Sequence, residues 1–411
     1  MVNVNGKRRI WMVDTTLRDG EQAPGVVFSP HERVEIATAL DRIGIDEIEA
    51  GIPAMGEQAC RDIRRLVGLH LSCTLSCWCR ADKGDIEKAA RCNTPGVHIS
   101  FPTSSVLLKT FDRDEAWVMD TLGQLVDMAK KDFDQISVGA QDATRTRPDF
   151  LYQFAGNAFD AGADRLRLAD TVGMISPSMV IKTITDLVHR VPDLDLEFHG
   201  HNDLGMATAN GVTAVEAGAS ALSVTVNGLG ERAGNAPLEE VAMALFEVGG
   251  YGGTINTARM TDLCRLVARA SGHPIPESKP IVGKNVFRHE SGIHCSGLLK
   301  DRSSYQLFEP ETVGKRKREY VIGYHSGAAA IGHVLEQQGI FIDKAGAQKL
   351  LPLVRKKALE QKSLLTPEAL KALYLLTLGC QESDLSPCPD PKKPEPMGFS
   401  DSLARRHDNQ R

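Results

Sequence analysis

The sequence has no run of eighteen uninterrupted apolar residues, so no segment is long enough to cross a membrane as a helix, and its first thirteen residues hold no apolar stretch of signal-sequence length. A cytoplasmic protein with no membrane partner is expected. Positive charge is not in surplus: 48 Lys and Arg against 53 Asp and Glu leave a net charge of −5, the wrong sign for gripping a phosphate backbone. Nucleic acid is therefore not an expected partner. A disulfide framework is missing as well, because nine cysteines are an odd number spread over 411 residues. Cys73, Cys77 and Cys79 lie close together, but no second pair at finger-like spacing follows, and they read as small apolar residues around a strand. Aromatics are few, yet 42% of the residues are hydrophobic, enough to bury a sizeable core.

Short apolar runs alternate with helical stretches, the pattern of a parallel sheet with crossover helices. Eight candidate strands stand out at residues 10–14, 45–50, 71–75, 96–100, 135–139, 165–169, 194–199 and 221–225. Three are entered through a glycine that follows a helix (Gly44, Gly162 and Gly218), as a left-handed cap would require. Ser29, Pro30 and Glu32 supply an N-cap, a first-turn proline and a capping-box acid for the first helix. Eight strand–helix units within about 265 residues fit a (β/α)8 TIM barrel better than an open doubly wound sheet. Residues 1–271 are assigned to the barrel, 272–325 to a proline-marked linker and subdomain, and 326–380 to a small helical C-terminal region. In that last region Leu370, Leu373 and Leu376 are expected to face inward. Residues 381–411, with five prolines among charges, are expected to lack fixed structure.

In such a barrel the working groups sit at the C-terminal ends of the strands. The polar clusters fall there. After the first strand, Asp14-Thr15-Thr16-Leu17-Arg18-Asp19-Gly20-Glu21-Gln22 crowds acids, an arginine and an amide into one turn. At the end of the seventh strand stands His199-Gly200-His201, and residues two apart in an extended chain point to one side, so both imidazoles can meet one ion. Asp19 from across the mouth would complete a two-histidine, one-carboxylate set with open positions. The glycines at 228, 230 and 234 do not fit a dinucleotide fingerprint; they are read as letting backbone approach a ligand, with Asn235 facing the metal. Asp170-Thr171-Val172-Gly173 places a hydroxyl where a carboxylate could be held.

Together with Glu49-Ala50-Gly51-Ile52-Pro53, His289-Glu290-Ser291-Gly292-Ile293-His294 and Gly323-Tyr324-His325-Ser326-Gly327, these segments resemble the acyl-CoA-condensing, metal-dependent barrels that include the isopropylmalate, homocitrate and citramalate synthases. The resemblance runs from Trp11 to about Leu378. Within the family, Ile52-Pro53-Ala54-Met55-Gly56, Trp78-Cys79-Arg80 and Val286-Phe287-Arg288-His289-Glu290 are most similar to the homocitrate-forming branch associated with nitrogenase.

The resemblance implies condensation of acetyl-CoA with a 2-oxo acid in a homodimer with shared active sites. It implies a divalent ion (Mg, Mn or Zn) on Asp19, His199 and His201 with Asn235 close by, Arg18 stabilising an oxyanion, Thr171 holding the first carboxylate, and Gln22 supporting the ligands. His294 is the implied base, Tyr305 its assistant, and Glu49 an organiser of the substrate-binding groups. Arg80 is expected to meet a distal carboxylate, since this chain lacks the Arg and His that lysine-pathway homocitrate synthases place at about Ser137 and Arg80. One position departs from the family: Gln141 stands where a Glu is usual, and an amide can orient but cannot carry a proton at neutral pH. The alternatives are a sister synthase using 2-oxoisovalerate or pyruvate, an acyl-CoA lyase sharing only the metal motif, and a metal-binding paralogue inactivated at Gln141.

Overall fold

The computed structural model describes residues 3–4, 7–247, 251 and 253–378. Eight parallel strands close into a barrel: β1 (Trp11–Asp14), β2 (Glu47–Gly51), β3 (Thr74–Arg80), β4 (Gly96–Pro102), β5 (Gln135–Gln141), β6 (Arg165–Asp170), β7 (Asp195–Gly200) and β8 (Ala221–Val224). Closure is made by β8 on β1, with Ala221 opposite Trp11 and Val224 opposite Asp14. Seven strands lie within a few residues of their expected positions, whereas the third begins at Thr74 and runs to Arg80. The expected start at Leu71 fails because Asp41 Oδ1 takes the backbone N–H of both Ser72 and Cys73, which fixes a turn there. Pairing starts one residue later, with Thr74 opposite Glu47.

The first helix (Pro30–Ile43) starts at the expected capping box, Ser29 and Glu32 each accepting the other's backbone N–H. It ends at Gly44, whose φ of +86° suits glycine, and where a Cβ would fall 2.4 Å from the Thr254 carbonyl oxygen. Its buried face of Ile36, Ala37, Leu40 and Ile43 packs on the barrel with the outward residues of the strands, among them Ile48, Leu75, Val97, Ile99, Val138, Leu166 and Phe198.

The inward positions are a different population. Branched aliphatics usually fill this space; here the interior is an ion network. Arg165 bridges Glu47 and Glu197, each at 2.7 Å, and Arg167 bridges Glu49 and Glu197, each at 2.6 Å. Ser223 donates a short hydrogen bond to Glu197 and Ser76 one of 2.7 Å to Glu47. Arginine and glutamate rows from β2, β6 and β7 thus replace an apolar plug.

Two compact units divide the chain: Met1–Phe287 with Phe308–Arg318, and Arg288–Leu307 with Glu319–Arg411. These limits cut across the divisions at 271/272 and 325/326 drawn from sequence, since part of the 272–325 stretch belongs to each unit. The second unit holds helices Gly292–Lys300, Ala328–Glu336, Lys344–Gln361 and Pro367–Leu378 around Cys295, Ile331, Leu335, Leu350, Val354 and Leu370. Leu376 does not face inward as expected; it is 84% exposed, and Tyr374 takes the buried position instead. At 3.6 residues per turn Tyr374 lies one turn from Leu370, while Leu376 falls on the opposite side. The tail expected over 381–411 lies outside the described residues. No helix among those described is long and apolar enough to cross a membrane.

Candidate metal and substrate site at the barrel mouth

The turn after β1 is wound by local hydrogen bonds. Asp14 accepts from the backbone and hydroxyl of Thr16, and the N–H groups of Arg18 and Gly20 both reach the Thr15 carbonyl. Burial above all pushes the Asp14 carboxyl up to about 7. The turn carries Arg18 and Asp19 back over the open end of the barrel. There Asp19 Oδ2 lies 3.0 Å from His199 Nε2 and 3.9 Å from His201 Nε2, and the two Nε2 atoms are 3.3 Å apart. All three side chains are buried, and one donor atom from each lies within 4.8 Å of the others.

The protonation states suit a cation. Burial opposes ionisation of Asp19, but Arg18 and the two imidazoles outweigh it and hold the carboxyl well below the usual range. Burial first, then His199, lowers the His201 imidazole to about 4, leaving it neutral at ordinary pH. A carboxylate and a neutral imidazole are what a divalent ion requires of its ligands. Asn235 supplies a further sign of fit: its Oδ1 is buried without a hydrogen-bond partner among the described residues, while its Nδ2 donates to the Leu229 carbonyl at 3.1 Å. The glycines around it allow the loop to close on itself, and the backbone of Gly228, Gly230 and Gly234 also lines a cavity of about 270 Å³. A Cβ on Gly234 (φ +86°) would lie 1.9 Å from the Gly228 carbonyl oxygen, and one on Gly230 would lie 2.2 Å from Asn235 Nδ2.

Arg18 is held in three ways: Nε donates to Glu49 at 2.6 Å, Nη1 lies 3.3 Å from Asp19, and the guanidinium stands 5.6 Å over the Trp78 ring. Below the trio opens a cavity of about 550 Å³, lined among others by Arg18, Gln22, Trp78, His98, Gly139, Gln141, Arg167 and Thr171. Gln22, Gln141 and Thr171 therefore all face the same cavity. Thr171 Oγ1 accepts the Asp142 N–H at 2.9 Å, which leaves its own O–H free to donate, and its carbonyl accepts from Arg232.

Of the expected substrate-binding set, Glu49 stands behind the cavity lining, fully buried between Arg18 and Arg167, where it aims both guanidinia as an organiser would. Arg80 is turned away from the cavity. It is the last residue of β3, its side chain is 66% exposed, and Asp85 of the next helix captures it with bonds of 2.8 and 2.9 Å. His294 and Tyr305 belong to the second unit, where their rings stack at 4.3 Å between centroids. Gly297 makes room for this stack, since a Cβ there would lie 2.7 Å from the tyrosine ring.

Sequence reasoning missed His98 and Arg167. His98 Nδ1 lies 3.0 Å from Ser137 Oγ, and burial, reinforced by Arg167, Arg18 and Arg165, keeps the ring neutral. The overlooked signal was charge at alternate positions within strands whose intervening residues are apolar: Arg165-Leu166-Arg167-Leu168 and Leu196-Glu197-Phe198.

A closed eight-stranded barrel with two histidines and a carboxylate converging at the C-terminal ends of its strands defines the class of barrels that hold a divalent ion at their reactive face. Residues 9–267 match the HMGL-like family and residues 281–362 the homocitrate synthase post-HMGL domain-like family; the chain belongs to the HMGL-like family. It is 46% identical over 369 residues to "2-isopropylmalate synthase 2" of Caldanaerobacter subterraneus subsp. tengcongensis, covering 89% of this chain and 95% of that one. It is 43% identical to "Homocitrate synthase 1" of Nostoc sp., covering 88% and 96%. "2-phosphonomethylmalate synthase" of Streptomyces rubellomurinus is also 43% identical, covering 80% and 87%. The barrel superposes on the hydroxymethylglutaryl-CoA lyase of Pseudomonas aeruginosa with a TM-score of 0.59 at 15% identity, covering 66% of this chain and 95% of that one, a likeness of fold.

Proposed function

We propose that the protein is an acetyl-CoA-dependent acyltransferase, a homocitrate synthase that condenses acetyl-CoA with 2-oxoglutarate and hydrolyses the thioester to release homocitrate and CoA. The convergence of Asp19, His199 and His201 beside the fixed Arg18 carries the reaction class. These three side chains hold the divalent ion, with Asn235 beside them. When bound, the ion supplies Lewis acidity to a chelated 2-oxo acid.

The chain's own residues do the rest. Arg18, aimed by Glu49, offers a positioned cation to the charge developing on the keto oxygen. The Thr171 hydroxyl donates to the adjoining carboxylate, and Gln22 and Gln141 orient the neighbouring groups. His294, with Tyr305 stacked on it, takes the proton from the thioester methyl; the family resemblance delivers it from the partner subunit of a homodimer. The cavity lining includes three guanidinia, those of Arg18, Arg167 and Arg232, against two carboxylates, Asp19 and Glu231, and its apolar side chains are Trp78 and Ala169 with no branched aliphatic one, which favours a dicarboxylic oxo acid over an alkyl one. Supply of homocitrate to the nitrogenase cofactor rests on the motifs around Met55, Trp78 and Phe287.

A second reading, an isopropylmalate or citramalate synthase taking 2-oxoisovalerate or pyruvate, is favoured by the 46% identity to the protein named 2-isopropylmalate synthase 2. Thiol release from acetyl-CoA, measured with each oxo acid in turn, separates the readings. Release is expected to be fastest with 2-oxoglutarate, to stop on chelation and to return with a divalent ion. Thiol release that chelation leaves untouched would remove the reaction class.

A further inference from the structure

The cavity wall holds a donor that the reaction as described leaves idle. A guanidinium carries five N–H groups. In Arg167, Nε donates to Glu197 at 2.6 Å and Nη1 lies 2.6 Å from Glu49, whereas Nη2 is buried without a hydrogen-bond partner among the described residues. The residue is 3% exposed and lines the cavity. Glu197 and Glu49 are each shared with a second cation, Arg165 and Arg18, so neither presents an unbalanced charge to the space beside Nη2.

Depth fits a second anionic group. Arg167 pairs with Glu197, and Ala169, two residues on, pairs with His199, so at about 3.3 Å per residue Arg167 lies about 7 Å below the histidine row. A chain of several carbons running down from the trio reaches it. His98 stands on the same wall. In the tautomer where Ser137 donates to Nδ1, Nε2 carries the proton and is left as a donor; that edge of the ring rests on Gly139, where a Cβ would lie 2.5 Å from Nε2. Only a residue without a side chain at 139 leaves the imidazole this seat.

We propose that Arg167 Nη2 and His98 Nε2 form the subsite for the distal carboxylate of the oxo acid, the role expected of Arg80, so that the enzyme selects 2-oxo dicarboxylic acids over those ending in an alkyl group. The proposal rests on the part of the proposed function that has the site bind a 2-oxo acid.

The test uses the full chain loaded with Mg²⁺ or Mn²⁺, with binding of 2-oxoglutarate and 2-oxoisovalerate measured by calorimetry and thiol release measured in parallel. The parent is expected to bind 2-oxoglutarate more tightly by a factor of about ten or more, as a site built for a polar group does. Arg167→Lys keeps the charge in the ion network but removes the fork, and is expected to cut that preference about tenfold. Gly139→Ala touches no charge and, by displacing His98, is expected to cut it as well. Folded variants that retain the parent's preference overturn the subsite and leave the synthase reading intact. A parent that favours 2-oxoisovalerate overturns both the subsite and the homocitrate assignment. Absence of thiol release with every oxo acid sinks the synthase reading alone, because the binding preference still decides the subsite.

Discussion

Replacing Glu49 with Gln tests whether the buried ion network both holds the barrel and aims the site. Glu49 is fully buried and meets two guanidinia, Arg18 and Arg167, each at 2.6 Å. Removing one partner of a buried ion pair costs about 3–5 kcal/mol. The amide keeps the volume and one acceptor, so the expected loss lies at the lower end, about 3 kcal/mol. All three tryptophans, Trp11, Trp78 and Trp117, lie in the first unit, so urea unfolding followed by fluorescence reports on the barrel. Acid supplies an internal check. For Glu49, burial favours the neutral acid but Arg167 and Arg18 outweigh it and pull the carboxyl below its usual value near 4.5. A depressed carboxyl stabilises fully above its unfolded value and loses that contribution as the pH falls through its folded value. Glu197 behaves alike: burial is outweighed by Arg167 and Arg165, and the carboxyl is held at about 2. The stability gap between parent and E49Q should therefore be full at pH 7 and shrink once the pH drops below about 4.5. With Arg18 no longer pinned, kcat should also fall about ten- to a hundredfold. A stability loss below about 1 kcal/mol at pH 7, or a gap that widens in acid, refutes the account of Glu49 as the organiser of both arginines.

Two further substitutions probe Arg80, which the structure places away from its expected contact, and Gln141, which departs from the family's usual Glu. Arg80→Ala should leave the KM for the oxo acid unchanged and lower stability by roughly 1 kcal/mol, since it loses only the rim pair with Asp85; a KM raised tenfold or more would return Arg80 to the substrate site. Gln141→Glu restores a group able to carry a proton on the cavity wall and should turn over at least as fast as the parent, measured as kcat across pH 6–9; a slower variant would count against an orienting role for the amide.

The barrel was legible because its outward residues keep a period of two between well-marked caps. His199 and His201 were legible for the same reason, being two apart at a strand end. Asp19 could be joined to them only by supposing closure, because a turn 180 residues upstream carries it. Arg165, Arg167 and Glu197 were not legible: alternate charges in a strand ordinarily signal a solvent face, and nothing local says that the face is the inside of a closed ring. Arg80 misled in a different way. Its parity with Ser76 and Trp78 points inward, but it is the last residue of its strand, and Asp85 draws it over the rim. His98 gave no sign because its seat depends on Gly139, on the neighbouring strand.

If Arg167 holds the distal carboxylate as proposed, the arginine–glutamate interior ties substrate choice to mechanical integrity. An oily plug can be resized one methyl group at a time, with small penalties. Here Glu49 steadies the cation at the reacting end and also grips the cation deeper in the cavity, while Glu197 links that deeper cation to the base of the barrel. On the proposed reading, retuning the site towards an uncharged substrate tail is thus not a matter of trimming one side chain: deleting the Arg167 guanidinium strands acids on two other strands, Glu49 on β2 and Glu197 on β7, and a workable redesign has to exchange cation and acids together.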